Sequence, residues 1–145
     1  MTGTEASHVL VAAEALPDHL LRVTWDDQSS ATIDLGTTTQ SAPFMALVDP
    51  ALFAQVALGD WGQSVVWPGE IEIGADSLWL DSLTAWGRGD TREFLEWRLR
   101  NALSLSAAAE ALGLSRRTIA YYSGGRSIPR SILLACKGWD ALKAA

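Results

Sequence analysis

Residues 113–129 read GLSRRTIAYYSGGRSIP, and their spacing decides how the second half of the chain folds. Gly113 supplies the left-handed backbone that closes a preceding helix at little steric cost. Ser115 then caps a helix over residues 116–122, and the Gly124-Gly125 pair ends it. Pro129 suits the first turn of a further helix through Leu142. Upstream, Ser104 caps a helix that runs through Ala107, Ala108, Ala109 and Leu112. Two helices crossing steeply through a tight turn need a small residue at the contact and a glycine at the turn. They also need a branched apolar residue on the buried side of the second helix. Ala109, Gly113 and Ile119 fill those roles, and Leu112 and Leu114 flank the turn as core residues. A first helix over 92–102, capped by Asp90 or Thr91, places Phe94, Leu95, Arg98 and Leu99 in one stripe.

Charge separates the two halves. Residues 1–90 carry two basic against 13 acidic groups, a balance of −11, whereas residues 91–145 carry nine against four, a balance of +5. The whole chain is therefore acidic, at −6, while its C-terminal third suits an anionic partner. On helix 116–122, Ile119 and Tyr122 share the inward face. Arg116, Arg117, Ala120 and Tyr121 are left outward, near the end that a recognition helix inserts into the major groove of DNA. Arginine pairs bidentately with guanine, and Ala120 or the Thr118 methyl suits thymine. These four are the candidate base contacts. Ser104, Ser115, Thr118, Ser123, Arg126 and Arg130 are candidates for phosphate contact, which positions a protein without specifying sequence.

Through Arg98, Leu103-Ser104, Ala109, Leu112-Gly113, Ser115, Ile119, Gly125-Arg126 and Pro129, residues 92–142 resemble the lambda-repressor/Cro-like (Xre-type) helix-turn-helix family. The resemblance implies an all-α DNA-binding domain, with 115–122 as recognition helix and a two-fold dimer on a palindromic operator. The chain departs from that family in having Leu105 where members often place glutamine, and Ser123 where they often place glutamate. A buried Leu105 fits a docking surface, such as one against the first half of the chain.

The first half reads as α+β. Two β-like runs, 8–15 and 20–25, join through Pro17-Asp18, and Asp26 to Ser29 turn the chain into a third run, 30–35. There Ala31, Ile33 and Leu35 alternate with polar residues, as in a strand with one buried face. Phe44, Leu47, Leu52 and Phe53 recur at helical spacing, but Asp49-Pro50 divides them into two short helical turns. Further strands are expected at 56–58, 64–67 and 70–73, followed by a helix over 77–83 capped by Asp76. Five of the seven tryptophans lie here (Trp25, Trp61, Trp67, Trp79, Trp86), and they are expected to fill a small core rather than line a ligand pocket. Asp34-Leu35, Pro43-Phe44 with Leu47, Asp49-Pro50 with Phe53, and Val66-Trp67-Pro68 resemble an uncharacterised bacterial α+β domain family over residues 8–83. Its members occur beside toxin-like partners or fused to a helix-turn-helix. The resemblance assigns no catalytic residue.

No nucleotide-binding glycine loop, nucleophile elbow or metal-ligand spacing occurs. His8 and His19, both in the first hairpin, are expected at solvated strand edges rather than on a metal. Arg88-Gly89-Asp90 spells an adhesion tripeptide, expected to be chance. The lone cysteine, Cys136, cannot form an internal disulfide, which fits a reducing cytoplasm. No uninterrupted apolar run approaches the roughly 18 residues of a membrane span. The expectation is an acidic α+β domain over 1–86 for dimerisation or partner binding, a hinge at 87–91, and a helix-turn-helix domain over 92–145. Together these describe a cytoplasmic, non-enzymatic transcriptional regulator without cofactor or metal, possessing a double-stranded DNA partner, a homodimeric state and an antitoxin-like or autoregulatory role. The alternative is a protein-interaction module whose helix-turn-helix is structural and binds no DNA.

Overall fold

A computed structural model describes residues 8–145, so the first seven residues of the expected 1–86 domain lie outside the described residues. The described chain divides into two compact units, residues 8–86 and Gly87–Ala145.

The first unit holds two three-stranded antiparallel sheets. One pairs β1 (Leu10–Leu16), β2 (Leu20–Trp25) and β3 (Ser30–Asp34) in chain order. In the central strand Leu21, Val23 and Trp25 are buried and alternate with more exposed neighbours, so one face of the sheet carries the core. The register sets Leu21 against Ile33 and Val23 against Ala31. An irregularity between Leu10 and Ala12 leaves Val11 exposed. The second sheet pairs β4 (Ala57–Leu58), β5 (Ser64–Trp67) and β6 (Ile71–Gly74) in chain order. Between the sheets in sequence lie a 3-10 turn, Met45–Val48, and a short helix α1, Pro50–Phe53. Asp49 separates the two, and its carboxylate accepts the Ala51 amide at 3.0 Å, so the expected break at Asp49-Pro50 is a helix cap.

Helix α2 (Ala75–Ala85) starts two residues before the expected 77, with Gly74 as its N-cap, and Asp76 lies in its first turn rather than at its cap. A carboxylate there still faces the positive end of the helix. Ser82 is buried on α2 because its hydroxyl donates to the Leu78 carbonyl at 2.8 Å and accepts the Trp25 indole N–H at 3.1 Å. Trp67 and Trp86 donate likewise, to the carbonyls of Phe53 at 2.9 Å and Ser30 at 2.8 Å. Trp79 joins the same core. Trp61 does not: it is 87% exposed, with left-handed backbone at φ 61°. The histidines are not the expected solvated edges. His8 stacks on Trp79 with ring centroids 3.5 Å apart, and His19 hydrogen-bonds the Leu47 carbonyl through Nε2 at 2.8 Å. Among the described residues no three His, Cys, Asp or Glu side chains gather as a metal site, and no helix is long and apolar enough to cross a membrane.

The second unit is helical: α3 (Gly89–Arg100), α4 (Leu105–Leu112), α5 (Arg116–Ser123) and α6 (Arg130–Ala144). Helix α3 begins three residues before the expected position, so Gly89, Asp90 and Thr91 are helical, not hinge or cap. The expected apolar stripe also rotates. Phe94 and Trp97 are buried, whereas Leu99 is 66% exposed. Pro129 is the N-cap of α6 rather than part of its first turn. Leu105, expected as a docking residue, belongs to the unit's own core with Phe94, Trp97, Ala108, Ala109, Ile119, Ile128 and Cys136. Burial, then Asp140 and Glu93, push the Cys136 thiol up to about 12, so at neutral pH it is a protonated core residue.

Candidate functional site

Helices α4 and α5 are joined by three residues whose geometry follows from Gly113. Its φ of 69° lets the Leu114 amide fold back to the Ala109 carbonyl at 2.9 Å, closing α4 in a Schellman turn. Ser104 begins α4 by accepting the Ala107 amide at 3.0 Å, and Ser115 begins α5 by accepting the Thr118 amide at 3.1 Å. The small side chains of Ala108 and Ala109 and the fully buried Ile119 lie in the core that these helices share with α3 and α6. Leu112 and Leu114 pack against that core as half-buried residues.

The outward side of α5 carries Arg116, Arg117 and Tyr121, all exposed. Ala120, expected beside them, is half-buried and packs partly against the helical core. Thr118 is half-buried, with its hydroxyl paired to that of Ser115 at 2.9 Å. The hydroxyls of Ser104 and Ser115 lie at exposed positions and are engaged as helix caps. Arg126 is exposed, and its guanidinium carbon sits 4.1 Å from the centre of the Tyr121 ring. Arg130 is exposed on the first turn of α6.

Ser123, expected to face outward, is turned in. Its hydroxyl accepts a hydrogen bond from Arg98 Nη1 at 2.8 Å. Arg98 is 6% exposed, and its Nε and Nη2 both donate to the Leu103 carbonyl at 3.2 Å. This one side chain thus ties α3 to the turn before α4 and to the last residue of α5. Its position in an apparent apolar stripe concealed that role. A second tie, between Asp90 and the Ile128 amide at 2.9 Å, holds the segment between α5 and α6 to the start of α3. Burial works to raise the Asp90 pKa. The Ile128 and Thr91 amides and the Arg88 guanidinium outweigh it and hold the carboxyl below its ordinary range.

The basic groups of the unit separate by their partners. Arg92 pairs with Glu96 at 3.3 Å, and Arg100 pairs with Asp140 at 2.7 Å. The Arg100 and Asn101 hydrogen bonds hold Asp140 below the usual carboxylate range. Lys143 donates to Asn101 at 3.1 Å, and Arg98 is buried. Among the described residues, Arg116, Arg117, Arg126 and Arg130 have no carboxylate partner, nor does Lys137 on α6. Unneutralised arginine is therefore concentrated on α5 and the segment that follows it.

The chain is thus an antiparallel α+β unit followed by a helical unit that displays unpaired arginines. Residues 10–82 match the model of a family described as protein of unknown function (DUF2442), and the chain belongs to that family. No curated protein matches it. It is similar to the crystal structure of a Nitrosomonas europaea protein named "Putative DNA Binding Protein". The identity is 38% over 93% of this chain and 88% of that one, with a TM-score of 0.72.

Proposed function

We propose that the chain is a DNA-binding transcriptional regulator whose α4, Gly113 turn and α5 form a lambda-repressor/Cro-like helix-turn-helix. The observation that carries this reading is the set of exposed arginines without carboxylate partners on and after α5. A polyanion satisfies such a set, and a merely structural bundle has no need of it. The Nitrosomonas europaea protein's name supports the same reading. Arg116 and Arg117 lie near the N-terminal end of α5, where a recognition helix meets base edges. Arg126 and Arg130, with the serines that cap α4 and α5, serve the phosphates. A single module of this size offers a small contact area, so a homodimer on a two-fold operator follows, and the lone Cys136 suits a reducing cytoplasm. The acidic α+β unit then acts as the dimerisation or partner-binding half, in a non-enzymatic, autoregulatory or antitoxin-like role.

The test is fluorescence anisotropy of the full chain with a mixed-sequence DNA duplex at several salt concentrations. Arg126 and Arg130 of the two protomers together make four charged phosphate contacts, which give a slope of log affinity on log salt near −3.6, so doubling the salt weakens binding by about twelve-fold. Arg116→Glu/Arg117→Glu is expected to abolish measurable binding. If the wild type shows no salt-dependent affinity for duplex DNA, or the charge reversal leaves its affinity unchanged, the reading fails and the chain is a protein-interaction module.

A further inference from the structure

Resting on that DNA-binding reading, we propose that Tyr121 is a positioning residue, which holds Arg126 in place for a DNA phosphate, rather than a reader of bases. The backbone after α5 brings the two together. Gly125, at φ 117°, occupies a conformation that a residue with a side chain rarely adopts. It lets the Arg126 amide donate to the Tyr121 carbonyl at 3.0 Å and its own amide donate to that of Tyr122 at 3.3 Å. These are the two bonds of a Schellman turn, in which the residue after the glycine lies against the residue a turn earlier in the helix. An apolar pair usually fills those two places. Here they hold a guanidinium carbon 4.1 Å from the centre of a phenol ring.

That contact has two consequences. The ring face takes up one side of the guanidinium and leaves the edge donors, which no described residue engages, directed elsewhere. An arginine on a flexible stem loses rotamer freedom when it grips a phosphate, and a stack formed beforehand removes part of that cost. Tyr121 also gives one ring face to Arg126, which takes that face away from a base. The ring is needed for this role, and the phenol hydroxyl is not.

The experiment measures binding of the full chain to a mixed-sequence duplex, with Tyr121→Phe, Tyr121→Leu, Arg126→Gln and the Tyr121→Leu/Arg126→Gln double variant. Far-UV circular dichroism checks that each variant keeps its helix content. Tyr121→Phe is expected to retain wild-type affinity and salt slope. Tyr121→Leu loses about two- to five-fold. Arg126→Gln loses more and flattens the salt slope by about 1.8, the share of one phosphate contact in each protomer. The double variant binds no worse than Arg126→Gln alone, because Tyr121 acts only through Arg126. Two results overturn the proposal while leaving DNA binding intact: Tyr121→Phe falling as far as Tyr121→Leu, or the two losses multiplying in the double variant. A wild type without affinity for DNA overturns this proposal together with the reading beneath it.

Discussion

Replacing Arg98 by methionine keeps the length of the stem and removes every donor, so it isolates the hydrogen bonds that join α3, the turn before α4 and the end of α5. Two effects oppose each other. Removing a guanidinium that is 6% exposed relieves its desolvation cost, and an apolar replacement of a buried charge is sometimes neutral or better. Against this, the Leu103 carbonyl loses the donors at 3.2 Å, and the Ser123 hydroxyl loses the one at 2.8 Å. An acceptor stripped of its partner while it stays buried costs about 1–3 kcal/mol, and a bond to a charged donor stands toward the upper part of that range. Counting the forked donation to Leu103 once, and discounting half-buried Ser123 because water reaches it, the acceptors lose about 3 kcal/mol; relief of desolvation returns about 1. The expected net loss is about 2 kcal/mol, roughly a thirty-fold fall in the folded-to-unfolded ratio. Equilibrium urea unfolding followed by far-UV ellipticity reads this as a lower midpoint at unchanged slope. Arg98→Lys recovers less than half, since a single ammonium cannot span both acceptors with the fork of a guanidinium. A cycle with Ser123→Ala gives a coupling near 1 kcal/mol. If Arg98→Met lies within about 0.5 kcal/mol of wild type, desolvation and hydrogen bonding cancel and the joint contributes no stability.

Two glycines with nearly the same φ separate conformational from steric cost. Gly113→Ala, at φ 69° with open space around the new methyl, is expected to cost about 1 kcal/mol in urea unfolding, whereas Gly62→Ala, at φ 66°, drives its methyl into the Leu10 carbonyl oxygen and costs several times more. Equal midpoint shifts contradict that separation. Asp90 sets a pH dependence: its native pKa lies below the ordinary carboxylate value, so its stabilisation is present above about pH 4 and is lost as pH falls through the native pKa. The unfolding free-energy difference between wild type and Asp90→Ala should therefore be constant from neutrality to about pH 5 and shrink below pH 4, and a difference that stays level down to pH 3 rejects the Asp90 tie to Ile128.

What could be read ahead of the structure is what is local in the chain. Ser104 and Ser115 cap their helices through amides three residues away, and Gly113 closes α4 with bonds to Ala109 and Glu110, so short sequence windows carry those signals complete. The alternation through Ala31 and Ile33 is equally local. Long-range partners explain the failures. Asp90 looks like a helix cap until Ile128, 38 residues on, claims its carboxylate. Arg98 falls among apolar positions because it is buried, and the convergence of Leu103 and Ser123 on it helps make burial tolerable. Ser123, a polar residue near a glycine pair, looks like a surface group, and the same arginine draws it inward. The apolar face of α3 differs from the expected stripe for a related reason, since Trp97 rather than Leu99 packs at right angles against Trp139 from α6. This bears on the candidate site most of all. Nine basic residues after position 90 define a balance of charge, but charge alone does not distinguish Arg100, tied to Asp140, from Arg116, which has no carboxylate partner among the described residues. That distinction depends on where the carboxylates fall in space. It converts a diffuse basic region into a particular set of arginines on and after α5.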